Sequence, residues 1–514
     1  MQVYLNRADF IQLSILLLVI SIIYICIVEL MKHTNFVRKV RKLPSIQPLR
    51  FLIGNLYEIW INRSNFTDLY LSVSRMTNER GGLCVFWTSY YPAVLITSWE
   101  YASKILRNKK FLSRGVPETF PRGIGILSIR GEEWRARRAL ISPSFAPNVI
   151  KSFIPKISEN VNNLISVLES LDGNIVEPIA TFEPHILSMI LETSLGFKDD
   201  MDDEERSEIL NSMRKIVIYL ISTTSTPLMW IKPLRKIFMM IDGTETALRK
   251  LFKYAKHIID SRMEEFSTNE NKSRELSYSK RRNRALLDSL LEVFIHETVD
   301  GKHSVDHKVL IDELLTVMIT NYETTLSSSI WLMHSMASNP TIQEKLFQEL
   351  SEFDEPEEAI EISRINELTF LDQCVKENLR IHPPVCIVGR EISEDTQLDG
   401  YLIPKGTQTL AAIYSIHHDE RIYPDPEKFD PSRFEPDNSD KIPSGAFLPF
   451  GDGPRRCIGE RLAILGNKII ISKIIKKFRI VLMESENVEL VIGLILKPKS
   501  PLKFRFVLRD QAEH

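Results

Sequence analysis

The pattern of apolar and polar positions predicts a chain that is helical over most of its length. Up to about residue 380, most apolar residues recur with a helical period. The longest such pattern runs without proline from Ser304 to Ala337 and stops at Asn339-Pro340. At 1.5 Å per residue it predicts a helix of about 50 Å, which is long enough to cross the whole domain.

Strand signals are confined to two regions. The segment from Leu83 to Ile96 is aromatic and β-branched, with turn residues at Ser89 and Pro92, and it predicts a β-hairpin. After Pro383-Pro384 the pattern predicts short strands and turns, then one more helix and a C-terminal strand pair. The polar stretch Asn271 to Arg284 is typical of a solvated loop between helices. We therefore expect a mainly α fold with a small β region.

The N-terminus carries a candidate membrane anchor. The stretch Phe10 to Val28 has no charged residue and is about long enough to span a bilayer. Only Arg7 and Asp9 are charged before it, whereas five basic residues follow closely: Lys32, Arg38, Lys39, Arg41 and Lys42. The positive-inside rule then places the N-terminus in the lumen and the remainder in the cytosol. A cleaved signal peptide is disfavoured because the apolar run is long and no small-residue cleavage site follows it.

Composition and charge exclude several classes of protein. With 44% hydrophobic and 26% charged residues the chain can bury a sizeable core, and its net charge of -2 gives no reason to expect nucleic-acid binding. Its five cysteines show no CxxC or zinc-type spacing, which favours a reducing compartment over a disulfide framework. No flexible linker divides the interior. We expect an anchor at 1–31, a basic and proline-containing linker at 32–49, and one domain at 50–514.

The strongest candidate for chemistry is Cys457. It lies in the ten residues from Phe450 to Gly459, which contain three glycines and a proline and therefore predict a tight loop. Arg455, Arg456 and the backbone N–H groups of such a loop favour a thiolate, the form of cysteine that binds metals. A buried free cysteine is the alternative for a lone cysteine, but the glycine and arginine content favours a metal ligand.

The order Phe, Gly, Arg, Cys, Gly in this loop resembles the haem-binding loop of cytochromes P450, most closely the animal-type microsomal members that oxidise xenobiotics, fatty acids or steroids. The resemblance implies that Cys457 is the axial thiolate ligand of haem iron, with Phe450 and Gly459 beside it. It also implies the P450 fold after the anchor. Similar motifs occur in order from about residue 40 to residue 508.

Trp134 and Arg138 are four residues apart and would share a helix face that offers only hydrogen-bond donors. The resemblance implies that they hold haem propionates, together with Arg390 and Arg455. It also implies that the neighbouring surface receives an acidic electron donor. The basic residues expected on that surface are Arg135, Arg137, Lys468, Lys473, Lys476 and Lys477.

Glu377 and Arg380 have the i, i+3 spacing of an ordinary helix pair. Arg433 resembles the second arginine of the family and would complete a buried Glu-Arg-Arg cluster behind the haem loop. We assign these three residues a structural role.

Glu323 and Thr324 lie in the middle of the long helix, where a carboxylate and a hydroxyl are costly to bury without a function. In P450s the matching acid and alcohol deliver protons during oxygen activation. A threonine bonded to the carbonyl one turn back is the alternative. Thr320-Asn321 departs from the small residue and glycine of most members, so that an asparagine side chain is expected where oxygen approaches. Some related fatty-acid hydroxylases esterify haem through a glutamate at the position of Thr320; threonine cannot, so haem b is expected to bind non-covalently apart from the Cys457 thiolate.

The resemblance to cytochromes P450 also implies a substrate pocket and partners. By position, the residues lining the pocket are Phe120, Ile124, Ile126, Thr320, Asn321, Val385, Ile387 and Val388. Their mostly apolar character favours a lipophilic substrate. The implied enzyme is a monooxygenase of the endoplasmic reticulum membrane that receives NADPH electrons through NADPH-cytochrome P450 reductase.

Two alternatives stay open from the sequence. The first is a P450-type isomerase or dehydratase without normal oxygen activation, which would fit the Thr320-Asn321 pair. Glu323 and Thr324 disfavour it, because such an enzyme needs no proton delivery. The second is a haem-binding protein without turnover.

Overall fold

The computed structural model describes residues 34–46, 54–61, 66–88, 91–114, 125–225, 229, 232–270, 285–299, 306–352, 362–365, 367–483, 488–493 and 495–509. Within these ranges helices predominate and strands form small sheets, as the pattern predicts. The described part of the chain contains no helix that is both long and apolar enough to cross a membrane. The predicted anchor, the pocket residues Phe120 and Ile124, and the loop at 271–284 lie outside the described residues.

A helical segment at 34–40 precedes the helices that we number. These are α1 (Leu56–Ile61), α2 (Phe66–Glu79), α3 (Trp99–Leu106), α4 (Gly125–Ser128), α5 (Gly131–Ile141), α6 (Pro147–Ser152), α7 (Ile154–Ser170), α8 (Pro178–Ser194), α9 (Asp203–Ser225), α10 (Lys232–Ile241), α11 (Thr244–Glu270), α12 (Leu286–Val299), α13 (His307–Ala337), α14 (Pro340–Ser351), α15 (Ile362–Ile365), α16 (Thr369–Ile381), α17 (Ile413–His417), α18 (Pro436–Ser439) and α19 (Glu460–Lys477). Short 3₁₀ helices occupy Ser142–Phe145, Pro431–Phe434 and Gly453–Arg455.

The strands in the described ranges form four small sheets. They are β1 (Leu83–Thr88), β2 (Tyr91–Ile96), β3 (Ile175–Val176), β4 (Ile387–Glu391), β5 (Thr396–Leu398), β6 (Tyr401–Ile403), β7 (Gln408–Ala412), β8 (Phe478–Leu482), β9 (Leu490–Ile492), β10 (Leu496–Pro498) and β11 (Phe504–Leu508). The sheet orders are β1-β2-β7-β4, β3-β11-β8, β5-β6 and β9-β10. One hydrophobic core lies among the helices, and a second lies beneath the four-stranded sheet.

The predicted hairpin is confirmed, because β1 and β2 pair antiparallel from Leu83 opposite Ile96 to Thr88 opposite Tyr91. Pro92 was predicted in the turn, but it lies inside β2. The parallel pairing of β2 with β7 starts one residue later, at Ala93. Proline is tolerated at that position because its missing N–H costs no bond in the described pairing with β7.

The long central helix is also confirmed. Helix α13 has 31 residues, about 46 Å at 1.5 Å per residue. It begins after Asp306, whose side chain accepts a hydrogen bond from the N–H of Val309 at 2.8 Å. It ends at Ala337, and Pro340 starts the next helix. Helices α4, α8, α11, α16 and α19 pack against it, so most of its side chains are buried.

Candidate active site

The Cys457 loop has a backbone that only glycine adopts easily at two positions. Gly451 and Gly453 have φ values of +70° and +69°. A Cβ at Gly453 would lie 2.2 Å from the carbonyl oxygen of Leu106, whereas a Cβ at Gly451 would meet open space. The backbone N–H of Cys457 donates to the carbonyl of Phe450 at 3.0 Å. The loop is therefore closed on itself and seated against the end of α3.

The thiol of Cys457 is accessible and yet closely surrounded by protein. Burial raises the pKa of this thiol, while the backbone N–H of Gly459 and the guanidinium groups of Arg114 and Arg138 oppose that shift. A metal ion bound to the sulfur would deprotonate it outright.

The sequence assigned the support of the thiolate to Arg455 and Arg456. In the structure Arg114 and Arg138 are the cations that act most on the thiol. Arg456 is exposed and forms an ion pair with Glu460 in the first turn of α19. The loop therefore keeps its predicted position, but the supporting charges come from other elements.

Among the residues that the structure describes, four arginines converge beside the loop: Arg114, Arg138, Arg390 and Arg455. Burial together with the neighbouring guanidinium groups lowers the pKa of Arg455 to about 8. Burial and the charge of Arg114 lower the pKa of Arg390 to about 9. Arginine keeps its proton in proteins, so these shifts reflect mainly the burial of the guanidinium groups and, beyond that, the repulsion between neighbouring cations.

This cluster fits a group that brings its own negative charges. The Nε atoms of Arg114 and Arg390 are buried without a hydrogen-bond partner among the described residues. Buried polar atoms of that kind normally have a partner. A haem has two propionate carboxylates and an iron that accepts a thiolate. The donor set of the cluster and the thiol of Cys457 therefore fit haem.

Trp134 and Arg138 come from α5, as predicted. Trp134 is 5% exposed, and the guanidinium of Arg455 lies over its ring, 4.4 Å from the centroid. Arg455 also donates to three backbone carbonyls, those of Leu112 at 2.6 Å, Ile126 at 3.0 Å and Ile129. Arg455 thus joins the Cys457 loop to both ends of the segment that links α3 to α5.

The Glu-Arg-Arg cluster is assembled in the structure. Arg380 donates to both carboxylate oxygens of Glu377 at 2.8 Å, and both side chains are 0% exposed. Arg433 Nε adds a contact of 3.3 Å, and the backbone N–H of Asp430 donates at 2.9 Å. Burial raises the pKa of Glu377, and these donors oppose the shift. The cluster ties α16 to the segment that leads to the Cys457 loop.

Helix α13 carries three threonines at four-residue spacing. Thr324 Oγ1 donates to the carbonyl of Thr320 at 2.7 Å, and Thr320 Oγ1 donates to that of Thr316 at the same distance. The hydroxyl of Thr324 is thus satisfied by the carbonyl one turn back, which was the alternative to a catalytic role. Donating its hydrogen does not use the lone pairs of the oxygen, so Thr324 can still accept a hydrogen bond.

Asn321 does not share that face. Its amide oxygen accepts a hydrogen bond from Thr325 at 2.9 Å. Both residues border a small cavity of about 10 Å³ that is otherwise lined by six residues of α7, α8 and α19: Ile157, Met189, Thr193, Leu462, Ala463 and Gly466. The prediction that the Asn321 side chain occupies the pocket where oxygen approaches is wrong, because the amide is held between helices.

Glu323 is buried on a face of α13 that differs from the faces of Thr324 and Asn321. Its Oε2 atom lies 2.9 Å from the Nζ atom of Lys497 in β10, and the glutamate side chain is 5% exposed. The neighbouring Tyr322 points elsewhere and donates to the buried carboxylate of Glu183, which also pairs with Arg214.

The predicted pocket residues separate into two groups. Ile126 and Ile387 are partly buried and pack against the main core. Val388 follows Ile387 in β4 and therefore faces the other side, where it packs against the second core. Its place in the pocket stays a prediction. Val385 lies half-buried between α16 and β4.

The predicted basic docking surface is mostly absent. Arg137 pairs with the buried Glu313 at 2.9 Å, and Lys468 pairs with Asp372 at 2.7 Å, with side chains 11% and 4% exposed. Lys473 is buried, and Lys477 pairs with Glu169. For the lysines the reason is that α19 packs against five other helices, α6, α7, α13, α14 and α16. Of the predicted residues, Arg135 and Lys476 are exposed.

Sequence reasoning missed Arg114 and Lys497. Arg114 lies shortly before Phe120, Ile124 and Ile126, three of the predicted pocket residues. An arginine close to such apolar residues is a signal in its favour, since a charge is costly to bury without a partner. No local pattern indicates Lys497, because its partner Glu323 lies in a distant helix.

The family model for cytochrome P450 matches residues 44–506. Cytochrome P450 4V2 of Rattus norvegicus is 28% identical over 487 residues, which cover 92% of this chain and 91% of that protein. Cytochrome P450 4V2 of Homo sapiens is 26% identical over 498 residues, with 94% of each chain covered. Probable cytochrome P450 4ac1 of Drosophila melanogaster is 28% identical over 473 residues, with 90% of each covered. The chain therefore belongs to the cytochrome P450 family and is a haem-dependent monooxygenase, an oxidoreductase.

Proposed function

We propose that this P450 inserts one oxygen atom from O₂ into a lipophilic small molecule of the fatty-acid, steroid or xenobiotic type, using NADPH electrons passed on by NADPH-cytochrome P450 reductase. The observation that carries the proposal is the convergence of the Cys457 thiol with a four-arginine cluster beside a helix that bears a buried acid and a threonine. When bound, haem supplies the redox chemistry, and its thiolate ligand favours cleavage of the O–O bond.

The cluster residues would hold that cofactor. Charge-assisted hydrogen bonds to the two propionates would come from four side chains: Arg114, Arg138, Arg390 and Arg455. The indole ring of Trp134 packs against the guanidinium group of Arg455. Phe450 and Gly459 fix the loop on either side of the sulfur. Glu377, Arg380 and Arg433 keep the preceding segment in place and have a structural role.

Glu323 and Thr324 would handle protons. A carboxylate can take a proton from water and release it, and the Thr324 oxygen can accept and pass on a hydrogen bond at the same helix turn. The threonine bonded to the carbonyl of Thr320 has a fixed rotamer, which suits a group that must present its lone pairs in one direction. Thr320 carries a hydroxyl and no carboxylate, so haem b binds without an ester link.

The substrate class follows from the lining. Ile126, Val385 and Ile387 are partly buried aliphatic residues near the cofactor-binding segments, and Arg455 donates to the carbonyl of Ile126. Such a lining binds an apolar substrate and excludes water from the reacting bond.

A membrane location is part of the proposal. Helix α10 exposes Ile237, Phe238, Met240 and Ile241, while Lys236 is exposed on the same helix. An exposed apolar stripe beside basic residues suits the lipid interface. We propose a membrane anchor at 1–31, a linker at 32–49 and a cytosolic catalytic domain at 50–514 on the endoplasmic reticulum.

The full chain in reductase-containing vesicles with NADPH provides the test. We expect NADPH and oxygen use to rise when lauric acid, a steroid or an alkyl-aromatic compound is added, and a product with one more oxygen atom to form. Oxygen use that no apolar compound stimulates, or a product of unchanged oxygen content, would refute the proposal.

A further inference from the structure

The ion pair between Glu323 and Lys497 connects the interior of α13 to solvent. The Glu323 side chain is 5% exposed, whereas that of Lys497 is 45% exposed. The carboxylate is therefore buried, but the ammonium group that compensates it reaches water. A buried carboxylate that loses its cation takes up a proton, because its charge is costly away from water.

The fold determines this pairing. Ser327 Oγ and Trp331 Nε1 both donate to the carbonyl of Leu496, at 2.8 and 3.2 Å. Glu323, Ser327 and Trp331 follow one another at four-residue spacing, so they share one face of α13. The backbone N–H of Leu496 donates to Pro384 at 2.9 Å. These bonds fasten β10 along that face and place Lys497 next to Glu323.

The other charged groups near Glu323 are engaged with each other. The hydroxyl of Tyr322 donates to Glu183, and Arg214 pairs with the same carboxylate. This network lies between α13, α8 and α9. Lys497 is thus the cation that the structure pairs with Glu323.

We propose that Lys497 is a positioning residue that gates proton delivery through Glu323. The ammonium group keeps the carboxylate turned toward β10, where it takes a proton from a solvent hydronium ion at the half-exposed end of Lys497 and leaves a water molecule. The neutral acid is no longer held by the ammonium group, turns toward Thr324, gives the proton to a water molecule that is hydrogen-bonded to the Thr324 oxygen, and returns as the anion. One proton is taken from hydronium at the surface and one is released to water at Thr324, and no electron is transferred.

The inference rests on the role proposed above for Glu323. The test compares haem-loaded full-length wild type with Lys497→Met, Lys497→Arg and Glu323→Gln. Lys499→Met is the matched control, because Lys499 lies two residues further on and pairs with Glu489, whose side chain is exposed. Product formed per NADPH and hydrogen peroxide formed per NADPH are measured with saturating reductase.

We expect Lys497→Met to lower product per NADPH by about tenfold, the change expected when one charge-assisted hydrogen bond is lost, with peroxide in its place. Lys497→Arg keeps the positive charge and should restore most of the product formed per NADPH. Lys499→Met should behave as wild type. A merely structural lysine would lower the haem content of Lys497→Met and leave the product ratio of the loaded fraction unchanged, which would overturn the inference.

Infrared spectroscopy gives a readout that does not depend on turnover. At neutral pH we expect a protonated-carboxyl C=O band in Lys497→Met that is missing in wild type and in the Lys497→Met, Glu323→Gln double variant. Its absence from Lys497→Met would overturn the inference. If Glu323→Gln forms as much product per NADPH as wild type, the proposed role of Glu323 itself is refuted. If Glu323→Gln forms less product per NADPH but Lys497→Met forms as much as wild type, only the role of Lys497 is overturned.

Discussion

Glu377→Gln changes the charge of the buried cluster behind the Cys457 loop with little change in volume. The amide places an NH₂ group where one carboxylate oxygen now accepts from Arg380 at 2.8 Å, so donors face donors. Arg380 is 0% exposed and would keep its charge without a counterion. Removing one partner of a buried pair costs about 3–5 kcal/mol.

That cost is measurable in urea. With a slope of about 3 kcal/mol/M, the unfolding midpoint of Glu377→Gln should fall by roughly 1–1.7 M. Glu132→Gln is the matched control, since Glu132 and Arg135 have the same i, i+3 spacing but both side chains are exposed. An exposed pair contributes about 0–1 kcal/mol, so the control should stay close to wild type.

A second variant tests the reason for the cost. Replacing both Glu377 and Arg380 by methionine removes the unpaired charge of the fully buried Arg380 and should recover part of the lost stability, although Arg433 also loses its contact with Glu377. Recovery should be incomplete, because Arg380 also donates to the carbonyls of His417 at 2.9 Å and Lys428 at 3.2 Å. Equal midpoints for Glu377→Gln and Glu132→Gln would refute the reasoning, as would a double variant less stable than Glu377→Gln.

Three further predictions concern the loop and the cofactor. Arg114→Leu should weaken haem retention by about 10- to 100-fold, measured by transfer to apomyoglobin, whereas the exposed Arg249→Leu should not. Gly451→Ala should cost about 1–2 kcal/mol for its positive φ, but Gly453→Ala should also lose the thiolate spectrum, because its Cβ meets the backbone of α3; equal effects would contradict the loop geometry. Thr324→Ala should retain haem and divert NADPH to hydrogen peroxide, and an unchanged product yield would exclude the proton role.

The elements predicted best are those with a local signal. The helix pattern that stops at Asn339-Pro340 gives the end of α13 directly, because proline ends one helix and starts the next. The glycines at 451 and 453 predict the tight loop that presents Cys457, since both have positive φ. Helix periodicity thus predicts α13 on one side of the active site, and the glycine positions predict the Cys457 loop on the other.

The partners of individual charges could not be predicted in the same way. Arg137 is at a position typical of an exposed helix residue, but Glu313, 176 residues away, pairs with it in the interior. The direction of Asn321 depends equally on where α19 packs. Tertiary packing decides which acidic residue pairs with which basic residue, and no local pattern in a single sequence indicates these pairs.

The correction at Asn321 changes how the reaction is viewed. The unusual Thr320-Asn321 pair favoured a chemistry without normal oxygen activation, because an amide was expected in the oxygen path. The amide lies between helices, bonded to Thr325. The pair is therefore compatible with a monooxygenase, and the polar group to test on α13 is Glu323 with its lysine.

The central claim is that the Cys457 thiolate binds haem iron. The most direct measurement is the carbon monoxide difference spectrum of the reduced protein, in wild type, Cys457→His and the control Cys84→Ala, which changes another cysteine, one buried in β1. We predict the long-wavelength band of a thiolate-ligated haem in wild type and Cys84→Ala, and its replacement by an imidazole-type band in Cys457→His. A thiolate band that survives in Cys457→His would contradict the account.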